Sequence, residues 1–190
     1  IIPSLFKELS TNKDILFVLG SNLSYEEMLN IKNLALKLNA KVSGYSPDTF
    51  DETFGDDFLR KSDKTSNRAS FQELQIDESK EYFEKSLEES SLIFIADNSY
   101  FENNLKLLES KKVISLYSHN CLTIGVSNIA IPIASFYEKS GTYINCDGIK
   151  QKVVSKINKN NPSNSVTALL EELKTMIEKG TIWQIQSYLL

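Results

Sequence analysis

Along this chain the apolar positions change period several times, and the changes outline alternating strands and helices. Asp14 introduces the unbroken apolar run Ile15-Leu16-Phe17-Val18-Leu19, which ends at Gly20. A short run without polar gaps is the pattern of a strand buried on both faces, as in a parallel sheet. Ser24-Tyr25-Glu26-Glu27 follows as a capping box: the Ser24 hydroxyl can accept from a first-turn amide while Glu27 reaches back to the Ser24 amide. Met28, Ile31, Ala35 and Leu38 then recur at helical spacing, which predicts an amphipathic helix over 25–38. Lys41 to Tyr45 reads as a second strand, completing a strand–helix–strand unit.

The pattern breaks over residues 46–76, where Pro47, Asp48, Asp51, Gly55, Asp56 and Asp57 make a polar stretch of little periodicity. It reads as a long surface excursion, with one helical turn around Asp56–Lys61 and another near Phe71. A loop of that length in a compact domain usually carries a function or docks a partner. Alternation then resumes. Asp77 is placed to cap a helix over 78–89 that presents Tyr82, Phe83 and Leu87. Leu92-Ile93-Phe94-Ile95-Ala96 is a buried strand, residues 101–109 a short helix with Leu105 and Leu108 on one face, Val113 to Tyr117 the next strand, and Ile129-Ala130-Ile131 a further short one. The spacing predicts an α/β fold, a three-layer sandwich around a mostly parallel, Rossmann-like sheet, with 15–19, 92–96 and 113–117 as central strands.

Beyond the sheet, extended runs at Thr142–Asn145 and Ile149–Val154 flank Cys146-Asp147-Gly148, a hairpin signal in which both Asp147 and Gly148 are expected at positive φ. Residues 156–164 form a polar linker. Val166, Leu169, Leu170, Leu173, Met176 and Ile177 form the stripe of a helix that Gly180 can close, and Thr181 to Leu190, with Trp183, makes one more short helix. The expected organisation is an α/β domain over 1–155 followed by a linker and helical segment over 156–190. The first apolar patch is short and interrupted by Pro3, so it does not read as a signal peptide, and a chain that starts at Ile1 rather than Met is expected to be a fragment of a longer protein.

Composition narrows the function classes. With 41% hydrophobic and 24% charged residues and a net charge of −4, the chain can bury a core and lacks the basic footprint of a nucleic-acid binder. No apolar run approaches the roughly 20 residues that span a bilayer. Cys121 and Cys146 are too few for a disulfide framework or a thiolate cluster and are expected as reduced thiols.

Three places could carry chemistry, and each has a plainer reading. Gly20 sits where dinucleotide-binding folds place phosphate, but Gly20-Ser21-Asn22-Leu23-Ser24 lacks the G-x-G-x-x-G spacing, so a helix start satisfied by its own capping box is the expectation. His119, the one histidine, follows a strand and lies two residues from Cys121; with no further ligands and no orienting group in sequence, a loop histidine and a packed thiol are expected. Asp56, Asp57, Asp63 and Lys64 are the most charged cluster of the excursion and read as a solvated loop rather than a cation site. No residue is therefore assigned a catalytic, cofactor-binding or metal-binding role.

One segment is more specific than any of these. Ser127-Asn128-Ile129-Ala130-Ile131-Pro132 leads through Glu138-Lys139-Ser140-Gly141-Thr142-Tyr143-Ile144-Asn145 to Gly148 and Gln151. It resembles the molybdopterin oxidoreductase motif in which "ADVVLP" runs into "EKSGTFVN-x-EGR-x-Q", with Pro132, Glu138-Lys139, Gly141-Thr142, Asn145, Gly148 and Gln151 in register. A second stretch, Asp56-Asp57-Phe58-Leu59 through Asp63 to Asn67-Arg68, is similar to "DD-x-L-x-x-x-D-x-x-x-N-R" in the molybdopterin oxidoreductase-like region of the large G subunit of NADH:quinone oxidoreductase (complex I). Leu19-Gly20-Ser21-Asn22-Leu23-Ser24-Tyr25-Glu26-Glu27 also looks like that region's "xGxxLSxEE". Together the resemblance covers most of 14–154. The chain departs from the wider family at Asn128, where Asp is usual, at Ile149-Lys150 in place of Arg, and around Thr123, where "T-x-T-A-x-x-A" is missing; these departures point away from an active molybdoenzyme.

The resemblance implies a cofactor-free scaffold portion of the respiratory enzyme. Its iron–sulfur clusters would lie elsewhere in the parent subunit, and its partners would be the rest of that subunit and other peripheral-arm subunits. Nucleic acid and direct membrane insertion would play no part, and the location would be the cytoplasmic face of the inner membrane. NADH-to-quinone electron transfer would belong to the parent and not to this stretch. Two other readings stay open: a domain of an active molybdopterin oxidoreductase that contacts a guanine dinucleotide cofactor, and a stand-alone Rossmann-type nucleotide-binding module.

Overall fold

The structure, a computed structural model, describes the backbone of residues 1–47, 50–155 and 166–188 and the side chains among them up to residue 179. Five parallel strands form the central sheet: β1 (Ile15–Leu19), β2 (Lys41–Ser43), β3 (Leu92–Ala96), β4 (Lys112–Tyr117) and β5 (Ile129–Pro132), in the order β2-β1-β3-β4-β5. β1 and β3 pair along their whole length, and both are buried at every position, as their gapless apolar runs predict. Successive side chains point to opposite faces. Phe17, Leu19, Leu92, Phe94, Ile114 and Leu116 therefore meet helices on one side, while Leu16, Val18, Ile93, Ile95 and Val113 meet Phe83, Leu87, Phe101 and Leu108 on the other. This is the expected three-layer α/β sandwich.

α1 (Ile2–Thr11), α2 (Tyr25–Lys37) and α6 (Val166–Tyr188) cover the first face; α3 (Ala69–Glu73) lies beside α2. α4 (Lys80–Glu89) and two 3-10 segments, Tyr100–Asn103 and Leu105–Leu108, cover the second. α5 (Thr123–Val126) precedes β5. The hairpin of β6 (Gly141–Ile144) and β7 (Lys150–Val153) stands apart from the main sheet and packs on α2.

Several local expectations are corrected. α1 forms although Pro3 interrupts the apolar patch, because proline is harmless in a first turn, and Leu5 and Leu9, one turn apart, are fully buried. Around Asp56–Lys61 there is no helical turn. The Asp56 carboxylate accepts the amides of Phe58, Leu59 and Arg60 at 2.9, 2.6 and 2.8 Å, a local alternative to helix. The cap of α4 is Ser79 and not Asp77; Asp77 instead accepts from the Ser79 amide and hydroxyl. Residues 101–109 make two 3-10 turns rather than one helix, with Leu108 buried and Leu105 only partly so. In the hairpin only Gly148 takes positive φ (76°); Asp147 does not, because the turn is closed by the Gly148 amide on the Asn145 carbonyl and not by a two-residue mirror-image turn. Gly180 does not end a helix: α6 runs on to Tyr188. Val166, Leu170 and Leu173 of α6 belong to the same buried cluster as Phe17 and Ile31. The polar linker falls outside the described residues.

The helix ends carry their own devices. α2 begins with both halves of the predicted capping box. It ends with Asn39 at φ 51°, the Ala40 amide returning to the Ala35 carbonyl at 2.8 Å, a Schellman closure with asparagine where glycine is usual. The Lys111 ammonium lies on the carbonyls of Leu87, Glu88 and Ser90 and neutralises the negative end of α4.

Candidate functional site

The sheet order places a topological switch between β1 and β3, where the chain turns outward to β2 on one side and toward β4 on the other. Ligands of doubly wound folds bind outside the strand ends at such a point. A cleft of about 580 Å³ opens there, walled by the loop after β1, Lys64–Ser66, the loop after β4 and Ser135–Tyr137. Its floor is tied down by two residues after β3. Asp97, at φ 53°, accepts from the Ser118 amide and hydroxyl at 3.2 and 2.7 Å. Buried Asn98 donates to the carbonyls of Leu19 and Tyr45 at 2.9 and 3.2 Å, holding the ends of three strands together.

Gly20 lines this cleft for a reason that concerns backbone and not phosphate. A Cβ on Gly20 would stand 1.8 Å from the Asp97 carbonyl oxygen, and the Gly20 amide donates to the Ala96 carbonyl at 2.8 Å. The first turn of α2 is likewise occupied. The Ser24 hydroxyl accepts from the Glu27 amide and Glu27 accepts from the Ser24 amide, with Glu26 beside it. Two carboxylates now sit on the positive end of α2, where a phosphate would otherwise be stabilised.

These carboxylates hold the hairpin. Lys139 pairs with Glu27 at 2.7 Å, and the two side chains are only 9% and 7% exposed. The amide and hydroxyl of Thr142 donate to Glu26 at 2.9 and 2.6 Å. Partial burial works against ionisation of Glu26, but the bonds from Thr142 outweigh it and keep the carboxyl below its usual range. Gly141 lies against Ser24, with room for no more than hydrogen: an added Cβ would meet the Ser24 Cβ at 2.5 Å. Asn67 is fully buried below. It donates to the Leu23 carbonyl at 2.7 Å and accepts from the Ile144 amide at 2.6 Å and from the Ser70 hydroxyl. Three segments far apart in sequence, 19–27, 56–68 and 127–151, thus meet at one joint on the start of α2. Tyr143 is buried in the same joint, its hydroxyl without a hydrogen-bond partner among the described residues; burial, then the Glu27 and Glu26 carboxylates, push its phenol above the ordinary value.

The other candidates are not brought together. His119 is exposed on the cleft rim with Nδ1 3.3 Å from the Ser118 hydroxyl, whereas the Cys121 thiol lies 3.0 Å from the Thr123 hydroxyl. Both cysteines are free, Cys146 on the surface of the hairpin turn. Asp56 is spent on backbone amides and on Arg60, which hold its carboxyl well below the usual range; Asp63 accepts from Thr65, Lys64 pairs with Asp51 at 3.3 Å, and Asp57 is exposed. Among the described residues no group of three or more His, Cys, Asp or Glu is placed to hold a metal, and no helix is long and apolar enough to cross a membrane.

Glu138 and Lys139, adjacent charged residues in a polar stretch, both read from the sequence as exposed charges. Only Glu138 fits that reading, and only in part: it is half-buried and closes a short cap on Ser135, accepting from its amide and hydroxyl at 2.9 and 2.8 Å. Lys139 is buried. Asn67, Asp97 and Asn98 carried no sequence signal beyond Asn67's place in the second resembling stretch. Gly141→Val is expected to lower the melting temperature more than Glu138→Ala, because the first drives a branched side chain into Ser24 while the second removes one cap worth about 1 kcal/mol. Equal melting temperatures would show that the joint yields to accommodate a side chain. Compared with known proteins, the sequence matches no family model and has no significantly similar relative among curated proteins.

Proposed function

We propose that this chain is a cofactor-free structural portion of the large G subunit of NADH:quinone oxidoreductase, within its molybdopterin oxidoreductase-like region. The observation that supports this reading is the joint on α2: Glu27, Asn67, Lys139, Gly141 and Thr142, which carry the resemblance, are used there to hold chain to chain. A motif consumed in this way serves a scaffold. The carboxylates at the start of α2 also make the neighbouring helix terminus a poor seat for phosphate. In this reading the chain braces the part of the subunit that carries iron–sulfur clusters, packs against the rest of that subunit and against other peripheral-arm subunits, and works at the cytoplasmic face of the inner membrane. Electron transfer runs through clusters outside the stretch described here.

The cleft at the strand ends favours a second reading, a domain of an active molybdopterin oxidoreductase, or a Rossmann-type module, that receives a nucleotide there. The two separate on the company the parent protein keeps. The full-length protein, tagged and purified from its native membranes, is expected to bring with it a multi-subunit assembly that reduces quinone with NADH. Recovery as a lone molybdenum-containing enzyme, or as a soluble protein with neither partners nor that activity, would set the scaffold reading aside.

A further inference from the structure

Residues 50–64 form a closed loop in which Phe50 lies against Arg68 and Phe54 against Arg60 and Lys64, while Phe58 and Leu59 at its tip project into solvent. The Asp51 amide bonds the Ser62 carbonyl and the Asp56 amide the Arg60 carbonyl, both at 2.9 Å, while Phe50 bridges to Asp63. Gly55 lies so close to Ser62 that a Cβ would stand 2.5 Å from its hydroxyl oxygen. The Asp56 carboxylate gathers the amides at the tip. All of these bonds are made by backbone or by polar side chains, so any residue could occupy the tip. It is nevertheless Phe58 and Leu59, 89% and 81% exposed. Isolated exposed apolar residues are ordinary; two adjacent ones on a stiff tip, with Phe54 also exposed behind them, are the composition of an interface anchor.

Charge decides what the tip meets. Each Lys and Arg of residues 51–68 is matched: Arg60 with Asp56, Lys61 with Asp147, Lys64 with Asp51 and Arg68 with Glu78. Over residues 51–68 five acids stand against four bases. A surface built for an anionic membrane or for nucleic acid would carry unmatched cations; a nearly neutral, slightly acidic rim around an apolar tip suits an apolar pocket on a protein. We propose that Phe58 and Leu59 anchor this chain in such a pocket on a neighbouring protein chain. The proposal names one contact of the assembly and rests on the reading that the chain works inside one.

The test uses the full-length protein in its native cells, with a photo-reactive benzoylphenylalanine at position 58 and, as control, at exposed position 152. Irradiation is expected to link position 58 to apolar residues of one other protein chain, and position 152 not to that site. Phe58→Asp with Leu59→Asp is expected to weaken association with that chain roughly thirtyfold, the size of a hot-spot loss, with the melting temperature unchanged. Links to lipid, to nucleic acid or to a second copy of this chain would overturn the proposal, as would full retention of the partner by the double variant. A link to a protein outside NADH:quinone oxidoreductase would keep the anchor and discard the functional reading. A parent that purifies within that enzyme while position 58 links to nothing would do the reverse.

Discussion

Gly20→Ala is expected to destabilise the chain by on the order of 3 kcal/mol or more, the upper range for forcing volume into a packed interior. The added methyl would lie 1.8 Å from the Asp97 carbonyl oxygen and 3.0 Å from the Asn98 nitrogen, and both are backbone. No side chain can rotate away. Relief requires β1 and β3 to part at their carboxyl ends, which breaks the Gly20–Ala96 hydrogen bond and strains the Asn98 bonds to Leu19 and Tyr45. Chemical unfolding of the two proteins measures the loss. A midpoint equal to the parent's would mean that the strand ends are not held as described. The same variant separates two explanations of this glycine: a phosphate-binding glycine would lose ligand affinity on substitution, whereas this one loses the fold.

Lys139→Met should cost about 3–5 kcal/mol, because it leaves the Glu27 carboxylate buried without its cation. The ammonium stem and the carboxylate are both almost completely withdrawn from water, so solvent cannot substitute for the lost partner. Glu27 also accepts the Ser24 amide, and that bond survives in Glu27→Gln, whose amide oxygen can still accept it. The double variant Lys139→Met, Glu27→Gln should therefore recover a large part of the loss. If the single change costs less than about 1 kcal/mol, as a solvated pair would, Lys139 is not buried against α2 and the joint is looser than the structure makes it.

Much of this arrangement was legible in the residues. Gapless apolar runs identified β1 and β3 because strands buried on both faces have few polar positions to interrupt them, and β4 was legible although buried Ser115 breaks its run. The Ser24–Glu27 box was legible because a capping box is a contact between residues three apart. What failed to show depended on distance. Lys139 reads as a surface charge until the fold brings Glu27 to it from 112 residues away, and Asn67 reads as a loop residue until Leu23 and Ile144 close over it. The Asp56 turn was misread as helical because an Asx bond and a first helical turn ask for the same residue at the same place. Gly141 is constrained by its contact with Ser24 and not by its backbone conformation, since its φ is not positive, and that contact has no signature in the local sequence. Glu27, Asn67, Lys139, Gly141 and Thr142 stand in separate segments of the sequence, and no pattern along it shows which of them touch.

The cleft at the strand ends gives the sharpest test of a structural rather than a ligand-binding role. Calorimetric titration of the chain with guanine and nicotinamide nucleotides and dinucleotides is expected to give no saturable heat at up to millimolar ligand, for the parent protein and for Glu138→Ala alike. Saturable micromolar binding that Glu138→Ala abolishes would contradict this and make the segment from Glu138 to Gln151 part of a nucleotide site.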